Sequence, residues 1–287
     1  RPPHHNFSRG YGWFILPALV VVAAVIVFPW VFTLWMSVHD WNITGNHRFV
    51  AFDNYRRLVS DQRFLESVVR TFWFTVLAVI IPIALGLWAA LVFHRHFPWR
   101  GILRTVFVMP MMATPVAIAL VWTMMFHPQL GVLNYLLSLV GIPPFSWVYH
   151  PDTVIPTLVM VEVWHWTPLV MLIVLGGLAS LPTEPYESAK IDGASAWQMF
   201  RHITLPLIMP AIVASLLLVF TISFDNITAS MFWRPSGVET MPTEILSMLK
   251  ISISPEINAL GTLMIVVTVG LPLLGGGLAR YLARGER

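Results

Sequence analysis

The chain contains no cysteine, which excludes disulfides, cysteine-ligated zinc, iron–sulfur clusters and thiol nucleophiles together. Charge is almost as scarce. Asp, Glu, Lys and Arg make up 11% of the 287 residues, against about 25% in a soluble domain. So few charges cannot clothe a soluble globule of this size, and 57% hydrophobic residues exclude a disordered chain. Lysine is nearly absent. Lys190 follows Ala189 and Lys250 follows Leu249, so there is no Gly-Lys-Ser/Thr phosphate loop and no ATP hydrolysis by this chain alone. The formal net charge is only +3, with no basic face suited to nucleic acid. What is abundant is apolar and aromatic: 18 Phe, 13 Trp and a mean hydropathy of +0.74. That composition belongs to a polytopic membrane protein with interfacial aromatic belts.

A hydrocarbon core of about 30 Å takes about 20 apolar residues of helix. After a tail at 1–12, scanning for apolar windows predicts spans near 13–38, 71–93, 105–126, 153–180, 205–224 and 257–279. The expected fold is therefore all-α, one transmembrane domain over 13–287 with six helices. Prolines inside these spans are tolerated because neighbouring helices satisfy the freed carbonyls. Arg95, Arg100 and Arg104 occupy the 94–104 loop without an acid, residues 127–152 carry no Lys or Arg, and Arg280, Arg284 and Arg287 end the chain. Basic residues mark the cytoplasmic side, so both termini are expected inside. The 39–70 segment runs against this, with five arginines on the predicted external side. Two external segments are more than turns. Residues 131–140 read as a short amphipathic interfacial helix, and 226–256 as a Pro/Gly-punctuated segment that folds back toward the outer mouth.

The loop after the fourth span, 181–210, carries the most information. Thr183, Pro185 and Glu187 form a helix start, Tyr186–Ile191 supplies about two turns, and Asp192-Gly193 a stop. A second amphipathic stretch from Ala194 to Ile203 sets Trp197, Phe200 and Ile203 on one face. Leu205-Pro206 then marks entry into the fifth span. Glu187-Ser188-Ala189, Gly193 and Ile203-x-Leu205-Pro206 resemble the EAA loop of binding-protein-dependent ABC importer permeases, with Ser188 in place of the usual alanine. Further segments at 14–41, 52–61, 167–182 and 186–195 look like the carbohydrate-type permeases. From residue 204 onward, TISFDNITASMF and the stretch at 241–263 look more like spermidine/putrescine permeases.

This resemblance implies a non-catalytic permease in the bacterial inner membrane, forming half of a pore with a second permease, identical or homologous. An ABC ATPase subunit dimer would hold Mg-ATP, and this chain no cofactor or metal. An extracytoplasmic binding protein would deliver cargo, and lipids would surround the spans. The coupling residues it points to are Tyr186, Glu187, Ser188, Ala189, Asp192, Gly193, Ala194, Leu205 and Pro206, within the cytoplasmic loop 181–206. The carbohydrate-type likeness of the first two-thirds of the chain makes a sugar or sugar derivative the expected cargo, with a polyamine as the alternative.

Candidate pathway residues come from the spans themselves. Glu162 is the only charge within a predicted span, and intramembrane carboxylates are functional or paired. With Trp164, His165 and Trp166 it could line the substrate path, or it could form a structural pair with His165. Asp225 and Asn226 close the fifth span and could cap it, bind a cation or face the outer mouth. His94-Arg95-His96 reads as topogenic rather than metal-binding. A proton-coupled transporter or channel could use Glu162 and His165, but it has no need of the EAA spacing.

Overall fold

The computed structural model describes residues 12–41, 45, 47–226, 231–233, 237–251 and 254–285. It divides into two compact units, Arg1–Phe64 with Ile245–Val267, and Leu65–Glu244 with Thr268–Arg287.

In the first unit, α1 (Gly12–Val22) and α2 (Phe28–Ser37) join through a π-helical turn at Ala23–Val27. Trp13–Ser37 makes a 25-residue apolar span. Two short strands follow, β1 (His39–Trp41) and β2 (His47–Phe49), antiparallel with His39 opposite Phe49. This short hairpin is the one sheet among the described residues of an otherwise all-helical chain. It is held from α3 (Asp53–Ser60): buried Asn54 donates to the Ser37 and His39 carbonyls, both at 2.9 Å, and the Tyr55 hydroxyl to Ser37 Oγ. These bonds occupy carbonyls left free where α2 ends.

The second unit is built around one long helix. α4 (Gln62–His94) enters it, followed by α5 (Arg100–Met112), α6 (Pro115–Met125), α7 (Val132–Leu139) and α8 (Pro151–Ala179). Helix α8 packs against α5 and against α11 (Leu205–Phe224). Its apolar window is 61% buried, against 33% for α4 and 22% for Ala196–Phe224, which makes it the central element. Val170, Met171 and Val174 of α8 are fully buried with Ala89 and Ala90 of α4.

Among the described residues, five helices are long and apolar enough to cross a membrane, or six if the bent pair α5 and α6 counts as one. That pair answers the span expected at 105–126, and it is broken, bending by 97°. The cause is local. Pro115 drives Thr114 to extended geometry (φ −68°, ψ 144°), and Thr114 then caps α6 by accepting from the Ala117 N–H.

A second difference lies at the fifth span, expected from residue 205. The helix starts nine residues earlier, through α10 (Ala196–Met199) and a π-helical turn at Phe200–Thr204. A capping box between Ser195 and Gln198 nucleates it. Pro206 does not interrupt it, because a proline is tolerated in the first turn after the π turn. Two further helices close the chain, α12 (Met241–Ile251) and α13 (Glu256–Gly285). The expected fold-back over 226–256 lies partly outside the described residues. Its described parts include buried Trp233, and Met241, whose N–H donates to Thr71 Oγ1 at 2.8 Å.

Candidate functional site

Positions i, i+3 and i+4 share one helix face, so Glu162, His165 and Trp166 of α8 converge, whereas Trp164 does not. Trp164 meets Trp122 edge to face, 5.5 Å between ring centres, and lines a separate apolar cavity with Val163 and Thr167. The structure thus keeps it out of the cluster that sequence reasoning assigned it to.

Glu162 is 4% exposed. A buried carboxylate is tolerated only when donors surround it, and three do. Trp166 Nε1 donates to Oε1 at 3.0 Å, Ser223 Oγ to the same oxygen at 3.4 Å, and Asn226 Nδ2 to Oε2 at 2.7 Å. The pairing with His165 considered from the sequence is not made. The His165 ring instead lies tilted against that of Trp166, with ring centres 4.3 Å apart. Among the described residues its Nε2 has no hydrogen-bond partner.

Glu162, His165, Trp166, Asp225 and Asn226 line one cavity of about 170 Å³, together with Pro115 and Trp233. Trp233 was not nominated from the sequence. Its indole N–H donates to the Ala119 carbonyl at 3.0 Å and to Thr123 Oγ1 at 2.8 Å, pinning it to α6. Ser223 was also missed, although its place three residues before Asn226 on a helical end is a usable signal. Among the described residues no group of three His, Asp or Glu side chains is placed to hold a metal ion.

The Asn226 bond is the shortest of the three and is made to a buried carboxyl group. Asn226→Ala leaves that oxygen without its closest donor and is therefore expected to cost about 1–3 kcal/mol. Thermal unfolding in detergent checks this, with Tm lower by about 3–10 °C. An unchanged Tm would mean that this bond contributes nothing to holding the α11 end against α8.

At the opposite end of α11, Tyr186, Glu187, Ser188 and Ala189 lie on α9 (Glu184–Ile191). Its end is a Schellman motif. The Ala194 N–H donates to the Ala189 carbonyl at 2.9 Å and the Gly193 N–H to that of Lys190 at 3.2 Å. Gly193 takes φ +73°, which a side chain would strain. Asp192 is the C-cap residue between the end of α9 and this turn. Glu187, Ser188, Lys190 and Asp192 are exposed, and so are two apolar side chains, Ile191 at 87% and Trp197 at 65%. An isoleucine so bare on a short polar helix calls for a covering surface. Leu205 and Pro206 stand at the start of α11, beyond the π turn.

Residues 82–287, which include both the buried cluster and α9, match the family described as binding-protein-dependent transport system inner membrane component. The chain belongs to this family. It is a multi-pass inner membrane permease component of an ABC transporter, and not itself an enzyme. The permease is 35% identical over 205 residues to the trehalose/maltose transport system permease protein MalF of Thermococcus litoralis, covering 71% of this chain and 70% of that one. It is 33% identical over 219 residues to the trehalose transport system permease protein SugA of Mycobacterium tuberculosis, covering 74% and 70%. Its fold is similar to a chain of a bacterial ABC transporter involved in import of the acidic polysaccharide alginate. The TM-score is 0.82 at 20% identity, over 94% of both chains.

Proposed function

We propose that this permease forms half of the pore of an ATP-driven sugar importer and couples to a separate ATPase dimer through α9. The observation that carries the coupling is the exposed helix Glu184–Ile191, ending in its Schellman turn, with Glu187, Ala189 and Gly193 in the EAA spacing. An exposed ion pair from Glu187 supplies only about 0–1 kcal/mol, so bare Ile191 and Trp197 supply most of the docking contact. Mg-ATP is held by the partner, a second permease completes the pore, and an extracytoplasmic binding protein delivers cargo. The arginine turn at 94–104, the loop 181–206 and both termini face the cytoplasm in this reading.

The sugar assignment is supported by the relatives named for trehalose and maltose. It is also supported by the chemistry of the cavity. Carboxylates of Glu162 and Asp225 accept from hydroxyls, the Asn226 amide both donates and accepts, and the Trp166 and Trp233 rings suit the faces of a pyranose. The test is reconstitution with the ATPase and binding protein in liposomes. ATP-dependent uptake competed by maltose or trehalose, and not by putrescine or spermidine, is the expected result. Competition by polyamines would transfer the cargo assignment to the alternative suggested by the SFDN segment. Uptake driven by a proton gradient without ATPase would overturn the importer reading altogether.

A further inference from the structure

Helix α9 is fastened to the fifth span at two places, and only one of them follows from the EAA spacing. The first is the Schellman turn at Gly193, continued by the Ser195–Gln198 capping box. The second is a side-chain chain of hydrogen bonds. The Tyr186 hydroxyl donates to Thr204 Oγ1 at 3.0 Å, and Thr204 Oγ1 donates onward to the Met199 carbonyl at 3.4 Å. Thr204 is buried and is the last residue of the π-helical turn Phe200–Thr204. A π turn adds a residue to the helical ladder and is often kept where function needs it. Here it carries the Thr204 hydroxyl that Tyr186 of α9 bonds, and that hydroxyl reaches back five residues to the Met199 carbonyl.

We infer that the Tyr186–Thr204 pair makes α9 and the helix Ala196–Phe224 one rigid lever, with Tyr186 and Thr204 acting as positioning residues for transport. This rests on the reading of α9 as the ATPase-coupling helix. With the Schellman turn alone, a push on α9 would be absorbed by rotation about Gly193. With both ends fastened, the push moves the foot of the fifth span. That helix has 29 residues, about 43 Å at a 1.5 Å rise. Ser223 at its far end, and Asn226 just beyond, bond Glu162 in the cavity. The lever therefore joins the docking surface to the candidate substrate path through a single element, and hydroxyls polarised in series strengthen the joint.

The experiment uses the assembled transporter in liposomes and reads ATPase co-purification, cargo-stimulated ATP hydrolysis and cargo moved per ATP. Tyr186→Phe and Thr204→Val each remove one hydroxyl with little change of shape, while Thr204→Ser keeps it. Both hydroxyl-deleting variants are expected to retain the partner and to move about five-fold less cargo per ATP. The double variant is expected to be no worse than the poorer single, since both break the same bond. Thr204→Ser is expected to behave as the parent. Full cargo per ATP in both single variants would overturn the lever, as would additive losses in the double variant. Loss of the ATPase from these variants would also overturn it, by making the pair part of docking. Failure of the underlying reading looks different: the unmodified permease would bring down no ATPase.

Discussion

Exchanging Glu187 for arginine is expected to cut ATP-driven import by about a hundredfold or more, a change equivalent to about 2.7 kcal/mol, while leaving the permease folded. The side chain is exposed, and among the described residues it makes no hydrogen bond or ion pair. Its one intramolecular role is to place a negative charge in the first turn of α9, alongside Glu184. Reversing that charge costs a helix about 0.3–1 kcal/mol through the macrodipole, too little to explain a hundredfold loss. A loss of that size must come from a partner surface, where an arginine meets basic groups that the glutamate matched. The measurement is paired: ATPase co-purification and uptake on one side, thermal unfolding of the isolated permease on the other. Import lost with the partner, at an unchanged Tm, is the expected pattern. Import retained at near parental rate would remove Glu187 from the interface. A Tm that fell with the activity would assign the effect to folding of the loop.

The second large effect is expected in the core of the second unit, at Gly86 of α4. A Cβ built on Gly86 would stand 2.5 Å from Val170 Cβ and 2.6 Å from Val170 Cγ1 on α8. Real carbons do not approach so closely, and the obstructing atom is a Cβ fixed to the backbone. Rotamer changes cannot relieve it, so the two helices have to separate. Membrane helices associate through close packing of small residues, with no hydrophobic drive between them to compensate for a gap. Gly86→Ala is expected to destabilise by about 1–3 kcal/mol. Gly86→Val, with two more carbons at the same contact, is expected to abolish recovery of monodisperse protein. Size-exclusion chromatography in detergent checks the second, and thermal unfolding the first. Val170→Gly removes the clashing Cβ and is expected to restore part of the Gly86→Ala loss. If it does not, the close approach of α4 to α8 is not what the glycine serves.

Much of the loop after α8 was readable because its signals are local. A proline near a helix start, an acid in the first turn and Asp-Gly at the stop each act on neighbouring backbone, so Glu184–Ile191 and the turn at Gly193 needed no tertiary information. The face shared by Glu162, His165 and Trp166 was equally local, following from helical periodicity. The partner of Glu162 was not. His165 was the available choice within α8, but Ser223 and Asn226 lie 61 and 64 residues away, and only packing of α11 on α8 brings them there. Trp164 lies apart from Glu162 because adjacent helical residues point to different faces, and it lines a separate cavity.

The break in the third span shows the limit from another side. Pro110 and Pro115 were visible, and a membrane helix can run through either. Whether it bends depends on what receives the freed groups. Here Thr114 caps α6 by accepting from the Ala117 N–H, so the helix restarts beyond a bend of 97°.

The lack of cysteine and the 11% charge determined from sequence alone that this chain is an apolar membrane helix protein without thiol chemistry. The sparse charges also marked the polar loop that carries α9 and the one carboxylate inside a predicted span, Glu162. Tertiary structure alone decided that the carboxylate is satisfied by the distant end of α11, and that Tyr186 ties α9 to that same helix at Thr204. The physical reason is range. Composition, periodicity and capping act within a turn or two of the backbone, whereas a buried hydrogen bond forms only where packing brings its two ends together.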